Sequence, residues 1–259
     1  MKKLSQFKIP IGGVLLFLLM SVAAFTPASA QQCQSLLSQG DSLHQRYENK
    51  QALNKYQAAY EQCPQNYEAL MKMTRVLNDV GEDIGGEQSA SYYQQAIAYA
   101  ETLQAKYPDS VQSYFLESAA AGNLALYRGG REKVKLSRAV INNTNKAIEL
   151  DSSYSPAWVI KGAYYRQVAT ASSILKTFAQ LFLGGLPDGT LEDSREALET
   201  AVRLDPRNDY AVFEMGKTLE AMGEEKRAAD YFKKVLSLPD THNQSDELKE
   251  QAREALAHL

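Results

Sequence analysis

The chain has 259 residues, 44% of them apolar, and a formal net charge of −3. A mildly acidic chain has no overall electrostatic footprint for phosphate, so no nucleic-acid partner is expected. Ala, Leu, Glu, Gln, Lys and Arg dominate, and no stretch alternates apolar and polar residues for long, so the expected fold class is all-α.

The first thirty residues read as a targeting segment. Lys2, Lys3 and Lys8 give a basic start, residues 11–25 are almost wholly apolar, and Pro27 precedes Ala28-Ser29-Ala30. That order predicts a secretory signal peptide cut before Gln31. The apolar core falls short of the roughly 20 residues that cross a bilayer, so no stable membrane span is expected after cleavage; an uncleaved anchor is the alternative. The expected location is exported, periplasmic or extracellular. Cleavage removes three lysines and no acid, leaving 229 residues with a charge of −6.

The remainder repeats. Gly40, Ala52, Tyr56 and Pro64 follow one another at intervals of twelve, four and eight residues, and Gly216, Ala228, Phe232 and Asp240 repeat the spacing. Trp158, Gly162 and Tyr165 open a third instance. Antiparallel helices approach closely only where side chains are small, and an aromatic ring fills the space beside the crossing. This is the pattern of a tetratricopeptide (TPR) helix pair. Units are expected at 33–64, 66–108, 110–152, 155–206 and 209–240, with a capping helix over 245–259 that has Ser245 as its N-cap. The predicted architecture is a TPR-like antiparallel helix-pair solenoid.

In the first unit, Cys33 begins one helix and Cys63 ends the next, which predicts adjacent ends and a structural disulfide. Successive unit ends, at Pro64, Pro108, Ser152, Pro206 and Asp240, lie 44, 44, 54 and 34 residues apart. A TPR needs about 34. The excess falls between the first and second helix of units two, three and four, in residues 81–91, 126–138 and 171–190, so the turns are enlarged along one edge.

Two of these insertions have a marked composition. The second carries Arg128, Arg131, Lys133, Lys135 and Arg138. It reads either as a solvated helix face with Glu partners or as a contact for an anion or acidic partner. The third carries Ile174, Leu175, Phe178, Leu181, Phe182, Leu183 and Leu186, with Leu175, Phe178 and Phe182 on one helical face. It reads either as packing on a neighbouring repeat or as a hydrophobic mouth for a lipid tail or partner helix.

The runs YRGGREKVKLSR (127–138), NKAIELD (145–151), FLGGLPDGTLEDSREALETAVRLDP (182–206) and GKTLEAMGEEKRAADYFKKVLSLP (216–239) resemble the regulator of microtubule dynamics family. The resemblance covers nearly all of the chain after the leader. It implies a TPR-like, non-enzymatic adaptor. Animal members are linked to microtubules or to contacts between organelle membranes, and at least one to lipid binding. There is a weaker likeness to exported TPR-like components of TRAP-type solute transport.

Reactive constellations are missing from the sequence. His44, His242 and His258 are far apart in sequence, no Cys/His cluster or C-x-x-C exists, and neither a P-loop nor a G-x-S-x-G elbow occurs. No enzyme activity, no cofactor and no metal are expected. The function expected is binding of a protein or peptide partner on the concave surface, where Tyr67, Tyr114, Tyr164 and Tyr165 would suit contact. The alternative is a carrier of lipid or another hydrophobic ligand.

Overall fold

The computed structural model describes residues 28–183, 185, 188–240, 242 and 244–259, without the side chains of Ala28, Ser29, Ile174, Leu175, Phe178, Phe182 and Leu183. Among the described residues there are twelve α-helices and no strand. They form five antiparallel pairs: α1 (Ala28–His44) with α2 (Asn49–Gln62), α3 (Tyr67–Ile84) with α4 (Ala90–Lys106), α5 (Val111–Leu126) with α6 (Gly130–Leu150), α7 (Ser155–Thr170) with α9 (Leu191–Leu204), and α10 (Asp209–Ala221) with α11 (Glu225–Ser237). The extra helix α8 (Ser173–Leu183) packs on α6, and α12 (Ser245–His258) covers α11. The TPR-like solenoid with enlarged turns and a C-terminal cap is therefore the fold.

Local chemistry starts these helices. Asn66, Ser110 and Asn208 accept from the backbone N–H three residues on, satisfying donors that a helix N-terminus leaves open. Thr190 and Asp193 close a reciprocal capping box on α9, with bonds of 3.0 and 2.9 Å. Ser245 does not cap α12. Gln244 holds that position without a side-chain cap bond, and the Ser245 hydroxyl instead donates to Asp209 at 3.0 Å and accepts from the His242 N–H at 3.3 Å.

The crossings follow the sequence pattern. A Cβ on Gly40, Gly162 or Gly216 would come within 2.4, 2.4 and 2.7 Å of Tyr56, Leu198 and Phe232. Those partners are fully or almost fully buried, and complete burial of such a side chain contributes about 1.5–3 kcal/mol. In the third pair a buried hydroxyl contact, Ser118 to Thr144 at 2.5 Å, holds the crossing instead.

The extra residues mainly lengthen helices. Helix α3 has 18 residues and α6 has 21. Gly81, placed in the first insertion by its spacing, lies inside α3 against the Tyr93 ring, where a Cβ would meet it at 2.5 Å. Only Gly85 and Gly86, both at positive φ, and one 3-10 turn at Glu87–Ser89 separate α3 from α4. The three insertions are neighbours: Arg128 of the second pairs with Glu87 of the first at 2.8 Å, and Arg138 donates to the Gly185 carbonyl in the third.

First helices touch first helices. α3, α5, α7, α10 and α12 contact one another in turn, forming an inner wall, while α4, α6, α9 and α11 stand outside. The concave side of that wall positions the candidate site.

Candidate functional site: the concave groove

A groove of about 510 Å³ runs along the inner wall. Leu116, Val140, Val159, Ile160 and Ala163 make its floor apolar, and Tyr164 is buried beside them. One end is built by His44, Tyr47 and Asn49 around the α1–α2 turn, with Asp79 and Glu82 from α3. The other is built by Tyr210 and Glu214 of α10, with His242 and Gln244 ahead of α12. The two ends meet: Gln244 Nε2 donates to Asp83 Oδ1 at 3.3 Å, across 161 residues of chain. The solenoid thus curls until its first and last units bound one space.

The mouth exposes apolar surface. Three large hydrophobic side chains stand exposed among the described residues, Tyr47 (45%), Leu126 (63%) and Leu181 (71%), and the first two line this groove. Tyr47 is also the one described non-glycine residue at positive φ, +59°. Such a backbone is unfavourable for a bulky side chain. Here it is held by hydrogen bonds from the Tyr47 and Glu48 N–H groups to the carbonyls of His44 and Leu43.

The acidic end is electrostatically unusual. Burial and the neighbouring Asp79 push the Glu82 carboxyl up to about 7, against the pull of Asn123 and Asn78, which donate to it at 2.9 and 3.0 Å. Asp79, Glu82 and Asp83 occupy the last turn and a half of α3, where the helix dipole is negative and carboxylates are least favoured. Asp79 bonds His44 at 2.8 Å, and Asp83 accepts from Asn49 at 2.9 Å. Asn49 is 2% exposed, and its Oδ1 has no partner.

The opposite end is more fully paired. Asp209 is buried, which raises its pKa, but bonds from His242, Ser245 and the Tyr210 N–H outweigh burial and lower it. His242 stacks on Tyr210 with 4.4 Å between centroids. Because Asp209 accepts from Nε2, the neutral ring leaves Nδ1 as an acceptor, and that atom is buried without a partner. Arg166 and Glu214 form a largely buried pair between α7 and α10.

Of the tyrosines expected on the concave surface, Tyr164 lines the groove, whereas the charged residues of the second insertion lie elsewhere. Arg128 is tied to Glu87 and Glu132; Arg131 and Lys135 are exposed and Lys133 half-buried, and none of these four lines the groove. Phe178 and Phe182 sit on α8 but their side chains, like all of Leu186, lie outside the described residues. Tyr67 packs edge-on against Tyr107 at the end of α4, and Tyr165 packs against its neighbour Tyr164 and the Gly189 loop. No disulfide bridges Cys33 and Cys63 in the structure; Cys33 is buried and in hydrogen-bond contact with Cys63. Sequence reasoning missed the acidic end. Its available signal was three carboxylates at the wrong pole of an amphipathic helix. Among the described residues no cluster of His, Cys, Asp and Glu could hold a metal, and no helix is long and apolar enough to cross a membrane.

Comparison with known proteins adds the lineage. Bovine regulator of microtubule dynamics protein 1 is 22% identical over 243 residues, 91% of this chain and 75% of its own. A thermophilic TPR protein of Thermus thermophilus superposes with a TM-score of 0.66 at 19% identity, over 87% of this chain and 99% of that one. Pseudomonas aeruginosa pilF superposes at 0.51 with 14% identity, over 90% of each chain. These two structures establish the fold alone. The model of regulator of microtubule dynamics protein 1-3 matches residues 36–259, and the chain belongs to that family.

Proposed function

We propose that this protein is a non-enzymatic adaptor whose concave groove receives a segment of a partner protein. The observation that carries the reading is the groove itself: an apolar floor along the first helices, with Tyr47 and Leu126 exposed at its mouth. Contiguous exposed apolar surface of this kind marks interaction sites. The TPR-like fold supports it, because stacked helix pairs leave a concave surface free for ligands. A photo-crosslinking residue at Ala163, in the groove, should capture a partner segment, and one at Lys226, exposed on outer helix α11, should not. Capture from Lys226 alone would move the site to the convex face.

A lipid or other hydrophobic ligand is the competing occupant, and native mass spectrometry of the purified protein separates the two. Export is part of the proposal, and it rests on the basic and apolar leader and the Ala28-Ser29-Ala30 site. N-terminal sequencing should begin at Gln31. A start at Met1 would leave the protein anchored or unexported.

A further inference from the structure

Asn49, Asp79 and Glu82 gather at the acidic end of the groove, where His44 bonds Asp79. Asp79 and Glu82 lie three residues apart on one face of α3, both lining the groove. Glu82 takes both of its hydrogen bonds on one oxygen, Oε1, from Asn78 and Asn123. Asn49 is 2% exposed and lines the same end; its Nδ2 is committed to Asp83, so Oδ1 is fixed as an acceptor, and it finds no donor. At the other end of the groove, His242 Nδ1 is also buried without a partner. A buried acceptor without a donor costs about 1–3 kcal/mol. The Asn49 acceptor, beside two carboxylates, is explained if a donor arrives from outside.

The donor must be cationic and must carry several N–H bonds. We propose that this end of the groove, formed by Asn49, Asp79 and Glu82, seats a primary ammonium group, the side chain of a lysine in the bound partner segment. The inference rests on the groove being the docking site. An ammonium offers three donors and one positive charge. The apolar floor beside it takes the methylene stem, as long charged side chains do when they lie along apolar surface. Arg75, on the same face of α3, and Glu214 of α10 also line the groove. Arg75 is one turn from Asp79 and nearly two from Glu82, and no hydrogen bond or ion pair joins it to either among the described residues. His44 is already bonded to Asp79 and can share that carboxylate.

The test uses n-butylammonium as the lysine side chain and n-butanol as its uncharged counterpart, with the carboxyl carbon of Glu82 followed by NMR. The ammonium should lower the Glu82 pKa from about 7, and butanol should not. In E82Q and in D79N the ammonium should bind about tenfold more weakly, the loss of one charge-assisted bond. An unmoved Glu82 carboxyl, or full affinity in both variants, overturns the assignment. Spermidine is run in parallel. Binding of spermidine with no response to n-butylammonium would assign the site to a free polyamine and overturn the lysine reading. The same variants are then tested with the segment captured at Ala163. If Ala163 captures a segment that E82Q binds at full strength, the ammonium seat falls and the groove stands; if Ala163 captures nothing, the groove reading falls with it.

Discussion

The acidic end of the groove and the basic rim of the second insertion carry opposite charge and opposite logic. On the rim, five cations within eleven residues form the densest run of positive charge in the chain. Yet Arg128 is consumed by Glu87 and Glu132, Arg138 by a backbone carbonyl, and Arg131 and Lys135 stand in solvent. In the groove, Asp79 and Glu82 sit near a helix terminus that disfavours them, beside a buried acceptor with no donor. A run of charge in solvent is hydrated or paired at little cost. Charge that folding partly buries, beside groups brought from distant segments, is costly and therefore more informative about function.

Substitutions that break pairs in each region should separate them. Arg166→Met leaves Glu214 largely buried without its partner and should cost on the order of 3 kcal/mol in denaturant unfolding. Arg128→Met breaks a rim contact whose Glu87 side is 72% exposed, and should cost less than about 1 kcal/mol. Equal losses would erase the distinction.

The first unit, which supplies His44, Tyr47 and Asn49 to the acidic end, offers the next test. Oxidising Cys33 and Cys63 to a disulfide closes a loop of about thirty residues and should stabilise by about 3 kcal/mol over the reduced protein. Thiol labelling of the oxidised protein should find no free cysteine. An unchanged unfolding midpoint on reduction would show that the bridge does not form.

Glu82 should give the groove a pH dependence that the rim lacks. Its carboxyl holds a proton more tightly in the folded chain, about 7 against 4.5. The folded state therefore binds more protons across that window, and stability falls as pH rises through it. E82Q removes that loss: relative to wild type it should gain about 2–3 kcal/mol at pH 8 and almost nothing at pH 5. Parallel stability–pH curves for the two proteins would contradict the buried-carboxylate account.

The crossings beneath both regions should discriminate more finely. Gly162→Ala drives a Cβ to 2.4 Å from Leu198 and should destabilise by about 2 kcal/mol. Gly122→Ala meets only Val140, at 3.8 Å, so the better helix propensity of Ala should leave stability unchanged or raised by up to about 1 kcal/mol. The smallest effect belongs to the rim: Arg131→Ala and Lys135→Ala should stay within about 0.5 kcal/mol of wild type.

The fold was legible because its grammar is local. Gly40 with Tyr56, and Gly216 with Phe232, are sixteen residues apart in each case, and both pairs meet as their spacing requires. Gly81 escaped because its partner, Tyr93, is only twelve residues on: lengthened helices create a second crossing that the standard spacing does not encode. Ser245 escaped for a different reason, since its acceptor, Asp209, belongs to another repeat. The acidic end was illegible on the same ground. Asn49, Glu82, Tyr210 and His242 share a wall only because the solenoid curls until Gln244 reaches Asp83. No local signature records that curvature. The insertions drew attention by composition, and composition reports where charge is, not whether it is already neutralised.

The most direct test of the central claim is the affinity of the captured partner segment, as a synthetic peptide, for two variants of equal stability. Ala163→Trp fills the groove, and Lys226→Trp places the same bulk on the outer face. Binding should be lost in the first and unchanged in the second. Unchanged binding to Ala163→Trp would mean that the segment docks elsewhere.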